Sequence, residues 1–311
     1  MGSNAMKFLV VGPGAMGCLF AARLKKADYD VTLLDYIQER AAKINNQGIM
    51  VEGVTGEYTV QVPTLSGDLP SPPDLVLICV KSYKTKEACQ TIEPKLAPET
   101  MVVSLQNGVG NIELLEKIFG RERVLGGVTA EGATLLGTGK IRHAGQGETI
   151  IGPKGGPDSL VAKIIEAFDR AGFKTRSVDN VRDLIWGKLI INVGINALTA
   201  ITRLKNGRLP QLSGTRLIME EAIKEAVAVV EAKNIQLPYP DPLGRVMEVC
   251  EATAGNMASM LQDVLKERIT EIDFINGAIV REGRSMGIPT PVNLTLTSLV
   301  QAIQETYQER I

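Results

Sequence analysis

Lys7-Phe8-Leu9-Val10-Val11-Gly12-Pro13-Gly14-Ala15-Met16-Gly17 is an apolar run that breaks into three glycines spaced Gly-x-Gly-x-x-Gly. Phe8 to Val11 have no polar interruption, as in a strand buried on both faces of a parallel sheet. Gly12 permits a tight turn, Gly14 lets the backbone approach a pyrophosphate, and Gly17 lets the next helix, read from Cys18 to about Lys26, lie close on the strand. The N-terminus of that helix faces the glycine turn and favours anions. A second strand, Val31-Thr32-Leu33-Leu34, follows and ends in Asp35. Strand, glycines, helix, strand and acid within one short unit predict a dinucleotide site, with Gly12, Pro13, Gly14, Ala15, Met16, Gly17 and Asp35 as its contacts.

Further along, Leu75 to Val80 and Met101 to Leu105 are short apolar runs separated by a helical pattern over Thr85 to Leu96. This alternation implies an α/β fold with a doubly wound parallel sheet. More strands are expected near Arg123 to Thr129, Lys140 to His143 and Thr149 to Ile151, then a helix from about Ser159 to Ala171. After Val181 the strand signals stop. Helical patterns run through Leu184 to Leu198, Thr215 to Lys233, Leu243 to Met260 and Thr270 to Met286, with a last helix after Pro289-Thr290-Pro291. The expected organisation is an expression scar at 1–5, a Rossmann-type domain at 6–180 and an all-helical substrate and catalytic domain at 181–311. A chain of 311 residues fits about two cores, and the cleft between the halves is the expected active site.

The 34 Lys plus Arg and 35 Asp plus Glu nearly cancel, so neither a nucleic-acid footprint nor a membrane patch is expected. No secretory or lipidation pattern appears, which predicts a cytoplasmic protein. Cys18, Cys79, Cys89 and Cys250 fall in apolar patterns without metal-type spacing, as reduced core thiols do, and no metal is expected.

The chemistry concentrates in the helical half. In Trp186-Gly187-Lys188-Leu189-Ile190-Ile191-Asn192-Val193-Gly194-Ile195-Asn196, a lysine and two asparagines recur every four residues inside an apolar segment. At 3.6 residues per turn Lys188, Asn192 and Asn196 share a helix face, which must look onto something polar. Burial lowers a lysine's pKa and makes it a competent acid near neutrality. The only histidine, His143, lies in a turn-rich segment and is read as structural or surface. Asn107, in the loop Gln106 to Gly110 after a predicted parallel strand, either reaches a nicotinamide or is a plain Asn-Gly turn. Asn256 and Ser259 are expected on one helix face, and Thr270 as the cap of a helix whose first turn holds Glu271. Asp263 is expected to brace the helical core, with Trp186, Met257 and Met260 as packing.

Taken together, the glycine fingerprint, Val80-Lys81, Gln106-Asn107-Gly108, the Lys188/Asn192/Asn196 helix and the Ser-Met-Leu-Gln-Asp…Thr-Glu-Ile-Asp run resemble the ketopantoate reductase (2-dehydropantoate 2-reductase) family over essentially the whole native chain. The resemblance implies a C-terminal domain of the 6-phosphogluconate dehydrogenase type. It also implies reduction of 2-dehydropantoate to (R)-pantoate by NADPH in pantothenate synthesis. By that resemblance Lys188 is the general acid and Glu271 its acidic partner. Asn192, Asn196, Asn256 and Ser259 bind substrate, and Lys81 and Asn107 lie on the cofactor side.

One departure concerns Asp35, where NADPH users of the family commonly carry a basic residue. A carboxylate there accepts from an unphosphorylated ribose and repels a 2′-phosphate, so the expectation leans towards NADH, with Lys81 or Lys84 as the remaining phosphate contacts. The alternatives are a reductase of another branched or hydroxylated 2-oxo acid, and a non-catalytic nicotinamide redox sensor. A sensor has no need for Lys188, Asn192, Asn196 and Glu271 together. A homodimer is compatible with the apolar helical half.

Overall fold

The structure, a computed structural model, describes residues 6–153 and 158–309, and the segment read as an expression scar lies outside the described residues. The chain divides into two compact units, Met1–Gln106 with Asn111–Val181, and Asn107–Gly110 with Arg182–Ile311.

The first unit runs β1 (Lys7–Val11), α1 (Ala15–Lys26), β2 (Asp30–Leu34), α2 (Gln38–Gln47), β3 (Ile49–Gly53), β4 (Tyr58–Val60), β5 (Thr64–Leu65), β6 (Leu75–Ile78), α3 (Thr85–Ile92), β7 (Met101–Ser104), α4 (Asn111–Phe119), β8 (Val124–Thr129), β9 (Gly132–Gly137), β10 (Lys140–Gly145), β11 (Glu148–Pro153), α5 (Asp158–Arg170) and β12 (Lys174–Ser177). Eight of these strands form one sheet in the order β12-β11-β8-β7-β6-β1-β2-β5. From β8 to β5 all neighbours are parallel, while β11 runs antiparallel to β8. The central strands are continuous apolar runs because both their faces are covered: Phe8 to Val11, Leu75 to Ile78 and Met101 to Ser104 are all buried. The edge strand β12, Lys-Thr-Arg-Ser, is polar, which protects an edge from pairing with another chain.

The strand expected at Lys140 to His143 is β10, which belongs to a separate four-stranded sheet, β4-β3-β10-β9. This small sheet touches α1 on the side away from the main sheet's strands, which is why every residue from Gly17 to Leu24 is buried rather than only one stripe. Packed around α1, Phe20 stacks on Phe173 at 4.4 Å between ring centroids. His143 is neither in a turn nor on the surface: it is fully buried in β10, with Nε2 2.6 Å from Glu131 Oε2 and Nδ1 2.9 Å from Thr55 Oγ1. Arg23 of α1 completes this buried group, donating from Nε to Ala171 O at 2.9 Å and facing Glu131 at 3.8 Å. A buried charge needs such compensation, and the group joins α1 to the second sheet.

The second unit contains α6 (Val181–Thr202), α7 (Ser213–Ala232), α8 (Pro242–Ala252), α9 (Ser259–Leu265), α10 (Asn276–Met286) and α11 (Pro291–Glu305). Among the described residues α6 alone is long and apolar enough to cross a membrane, and 67% of its most apolar window is buried within the protein. Its Leu189, Ile190, Val193, Ala197 and Leu198 lie in one core with Met219, Ile223 and Val230 of α7 and Ile279 of α10. Gly194 admits Ile223 and Val246 against the helix. Two expected helices are broken. The pattern from Leu243 to Met260 stops at Ala252, where the Thr253 hydroxyl donates back to Val249 O and a turn through Gly255 follows. The pattern from Thr270 to Met286 becomes a 3-10 turn at Ile272–Phe274 and then α10.

The close approach of α1 to its strand depends on Gly17, where a Cβ would lie 1.9 Å from the carbonyl oxygen of Gly12, itself at φ +103°. Gly17→Ala is therefore expected to push α1 off β1, costing about 1–3 kcal/mol as overpacking does. A thermal melt should show a lowered midpoint and a cofactor titration weakened binding; a wild-type melt and affinity would contradict the packing account.

Candidate active site

On α6, Lys188 and Asn192 are half-buried and Asn196 is 4% exposed, while Leu189, Ile190 and Val193 between them point into the core. The three polar residues follow the four-residue spacing up one helix face. Nδ2 of Asn192 is buried with no hydrogen-bond partner in the protein. An unmet buried donor costs about 1–3 kcal/mol, so a donor kept there suits an acceptor that arrives from outside, such as an oxo-acid oxygen.

Glu271 is buried close enough to Lys188 to act on its charge. Burial lowers the Lys188 pKa from the usual lysine value to about 8, and the Glu271 carboxylate opposes that fall. The result is an ammonium that gives up its proton within reach of neutrality. Glu271 is not in the first turn of an α-helix as expected. It precedes the 3-10 turn, where its carbonyl accepts from Phe274 N at 3.0 Å and the Thr270 hydroxyl oxygen accepts from Ile272 N at 3.2 Å. Thr270 N in turn donates to the Gln304 side chain of α11. The carbonyl of Phe274 accepts from Val109 N at 3.2 Å, so the Asn107–Gly110 loop is tied to the segment that carries Glu271.

The glycine turn expected to bind the dinucleotide lies in the first unit. Gly12 N donates to Leu34 O at 3.0 Å, which joins the glycine turn to the end of β2. The first turn of α1 holds no acidic residue, and a Cβ on Gly14 would meet only Cys79 O, at 3.9 Å. The protein's own packing does not require glycine at 14, so the bare backbone fits a phosphate group from outside. Gln106 holds the neighbouring strand ends together: Nε2 donates to Val80 O at 2.7 Å and to Thr85 Oγ1 at 2.9 Å, and Oε1 accepts from Ser104 Oγ at 2.9 Å. These bonds fix the strand ends from which Lys81 and Asn107 project, and both of those residues are half-buried.

Asp35 is not the open acceptor expected of it. Its side chain is fully covered, with Oδ1 accepting from Arg40 Nη2 at 2.6 Å and from Ile37 N at 3.0 Å, and Oδ2 accepting from Arg40 Nε. Arg40, one-third exposed, also lies over the exposed ring of Tyr36 at 5.6 Å. Arg40 was missed because α2 buries only Ala41 and Ile44 and shows no apolar rhythm. The available signal was a basic residue five positions after the acid.

Asn256 and Ser259 do not share a helix face. Asn256 is exposed in the turn before α9, and Ser259 is the exposed first residue of that helix. Met257 is 45% exposed rather than core, whereas Trp186 and Met260 are buried. Asp263 is buried and its charge acts on Lys266. Burial pushes the Cys18 thiol up to about 12, which makes it unreactive. Among the described residues no three His, Cys, Asp or Glu side chains are gathered as a metal site.

Residues 8–156 match the family model described as ketopantoate reductase PanE/ApbA, and residues 180–304 match its C-terminal counterpart. The 2-dehydropantoate 2-reductase of Halobacterium salinarum is 35% identical over 302 residues, spanning 96% of this chain and 99% of its own. That of Pyrococcus horikoshii is 34% identical over 304 residues, spanning 96% and 97%. Among solved structures, a PanE/ApbA family ketopantoate reductase from Ralstonia eutropha superposes with a TM-score of 0.90 at 35% identity, covering 98% of this chain and 100% of that one. A D-mandelate dehydrogenase with NADH and anilino(oxo)acetate superposes at 0.92 with 28% identity, covering 97% and 100%.

If Glu271 supports the protonated lysine, Glu271→Gln should move the Lys188 pKa below about 8, since the removed carboxylate is the influence that raises it. Titration of 13C-labelled lysine by NMR, with Lys188→Met to identify the resonance, reads this directly. An unmoved or raised value would separate the two groups.

Proposed function

The chain belongs to the ketopantoate reductase family, and from that premise we propose that it reduces 2-dehydropantoate to (R)-pantoate in the cytoplasm, as a step of pantothenate synthesis. The observation that carries the chemistry is the half-buried Lys188, set among core residues of α6 beside buried Glu271, with its pKa lowered to about 8. A nicotinamide cofactor, held by the glycine turn, Lys81 and Asn107, would supply the hydride that reduces the ketone carbon. As the ketone is reduced, the carbonyl π pair moves onto oxygen, and Lys188 Nζ donates its proton there and stabilises the developing alkoxide. The neutral amine then recovers a proton from water. Glu271 keeps the lysine protonated before the transfer and accepts from the substrate hydroxyl. Asn192 and Asn196 offer amide donors to the oxo acid, and Asn256 contributes from the turn before α9 and Ser259 from the first residue of α9. The glycine turn with the α1 N-terminus holds the pyrophosphate, and Lys81 and Asn107 orient the nicotinamide end.

For cofactor choice, the Asp35–Arg40 pair revises the leaning towards NADH. Of about four acceptor positions on a carboxylate, three are occupied within the protein. The accessible group at the end of β2 is the guanidinium, which can pair with a 2′-phosphate, while its withdrawal exposes Asp35 to a ribose diol. Both NADPH and NADH therefore serve.

A second reading, reduction of a different 2-oxo acid, is favoured by the likeness to the D-mandelate dehydrogenase, whose described ligand is an oxo-substituted acetate. Steady-state assays with 2-dehydropantoate and a panel of aromatic and aliphatic 2-oxo acids separate the two. The expected result is highest kcat/KM for 2-dehydropantoate, falling above about pH 8 as Lys188 deprotonates, with Lys188→Met slower by about a hundredfold or more. Efficient turnover of only another oxo acid would reject the substrate and keep the chemistry.

In the same assay Arg40→Ala is expected to lose NADPH efficiency by about tenfold or more, the value of one charge-assisted contact, while NADH efficiency holds or rises. Equal loss with both cofactors would remove Arg40 from phosphate recognition.

A further inference from the structure

Asn276 is the first residue of α10, five positions after Glu271, and is fully buried. Its Nδ2 donates to the main-chain oxygen of Val193 on α6 at 3.3 Å and to Asn293 Oδ1 on α11 at 3.0 Å. Val193 directly follows Asn192. Asn293 is itself held in one orientation, because its Nδ2 donates to Ala222 O at 2.9 Å and to Glu225 Oε2 at 2.8 Å. Glu225 also accepts from the main-chain N–H groups of Val292 and Asn293 at the start of α11. With Asn293 so fixed, turning the Asn276 amide over would set oxygen against oxygen on two sides, so its orientation is determined.

That orientation leaves Asn276 Oδ1 buried with no hydrogen-bond partner. An orphaned acceptor is a cost, and an apolar residue of similar volume would avoid it, since α10 and α11 already share an apolar core through Ile279, Leu296 and Val300. What an apolar residue cannot supply is the bond to Val193 O. This bond registers the start of α10, and the Glu271 segment before it, against the helix that carries Lys188.

The geometry points to Asn276 as a positioning residue that sets the separation of Lys188 and Glu271 by latching α10 to α6 at Val193. This rests on the reading of Lys188 as the acid. At 3.6 residues per turn Val193 is about 140° around α6 from Lys188 and about 7.5 Å along its axis. Removing the Asn276 amide thus loosens the Glu271 segment without opening the surroundings of the lysine.

Asn276→Ala tests the latch, with circular dichroism and cofactor affinity confirming a folded protein. The expected results are a Lys188 pKa, read by 13C NMR of labelled lysine, lower than in the wild type, and a kcat lower by about tenfold, as misplacement of a reacting group produces. Cofactor Kd should stay unchanged. Asn276→Ser, which keeps one hydroxyl donor, is expected to recover part of both effects and replaces the alanine variant if that does not fold. A folded variant with wild-type kcat and an unmoved Lys188 titration overturns the proposal, even if its melting point has fallen. Failure of the acid assignment would appear separately, as wild-type turnover by Lys188→Met, while the titration would still decide whether Asn276 sets the pair.

Discussion

Removing an ammonium group from water is costly, and Lys188 bears that cost on a helix whose other faces are core. The second unit is arranged around this constraint. α6 carries Leu189, Ile190 and Val193 into the apolar centre, so Lys188, Asn192 and Asn196 take the remaining face. A lysine in that position loses its proton readily unless a negative charge lies near it, and Glu271 is that charge. The balance of burial against one carboxylate leaves the ammonium with a pKa of about 8, and the proposed role of Lys188 as the acid rests on that balance. The chain's single histidine serves instead in the buried Arg23–Glu131–His143 group of the first unit.

The first unit meets a constraint of another kind, that of contact distance. Gly17 allows α1 to descend onto the turn, Gly12 N is bonded to the end of β2, and the small second sheet covers the outer side of α1. A helix held on both sides keeps its N-terminal N–H groups fixed in direction, which is what the binding of phosphate by backbone requires. The Gln106 bonds do the same for the strand ends that present Lys81 and Asn107.

Elements with strong periodicity were legible from sequence. β6 and the runs Phe8 to Val11 and Met101 to Val103 are unbroken apolar stretches because they are covered on both faces, and the Lys188 stripe was visible because its neighbours are apolar. Membership of the family was equally plain from the motifs. The second sheet was not legible, since β4 has only three residues and both β4 and β9 are only partly buried and show little alternation. The breaks around Asn256 and Glu271 were hidden because apolar residues continue at helical spacing across both, and a hydrogen bond from the Thr253 hydroxyl and another accepted by the Thr270 hydroxyl oxygen accompany the breaks. The masking of Asp35 by Arg40 depends on a side-chain pairing whose one local sign is a basic residue five positions after the acid, and the latch at Asn276 depends on tertiary contacts with Val193 and Asn293.

The account stands on Lys188 as the group that protonates the substrate oxygen, and a crystal structure of the ternary complex with oxidised cofactor and the hydroxy-acid product tests it most directly. The predicted result has Lys188 Nζ within hydrogen-bond reach, about 2.6–3.2 Å, of the hydroxyl oxygen on the carbon that received the hydride. It also has Glu271 beside the lysine. A complex in which another side chain or an ordered water occupies that position, with Lys188 turned away, would contradict it.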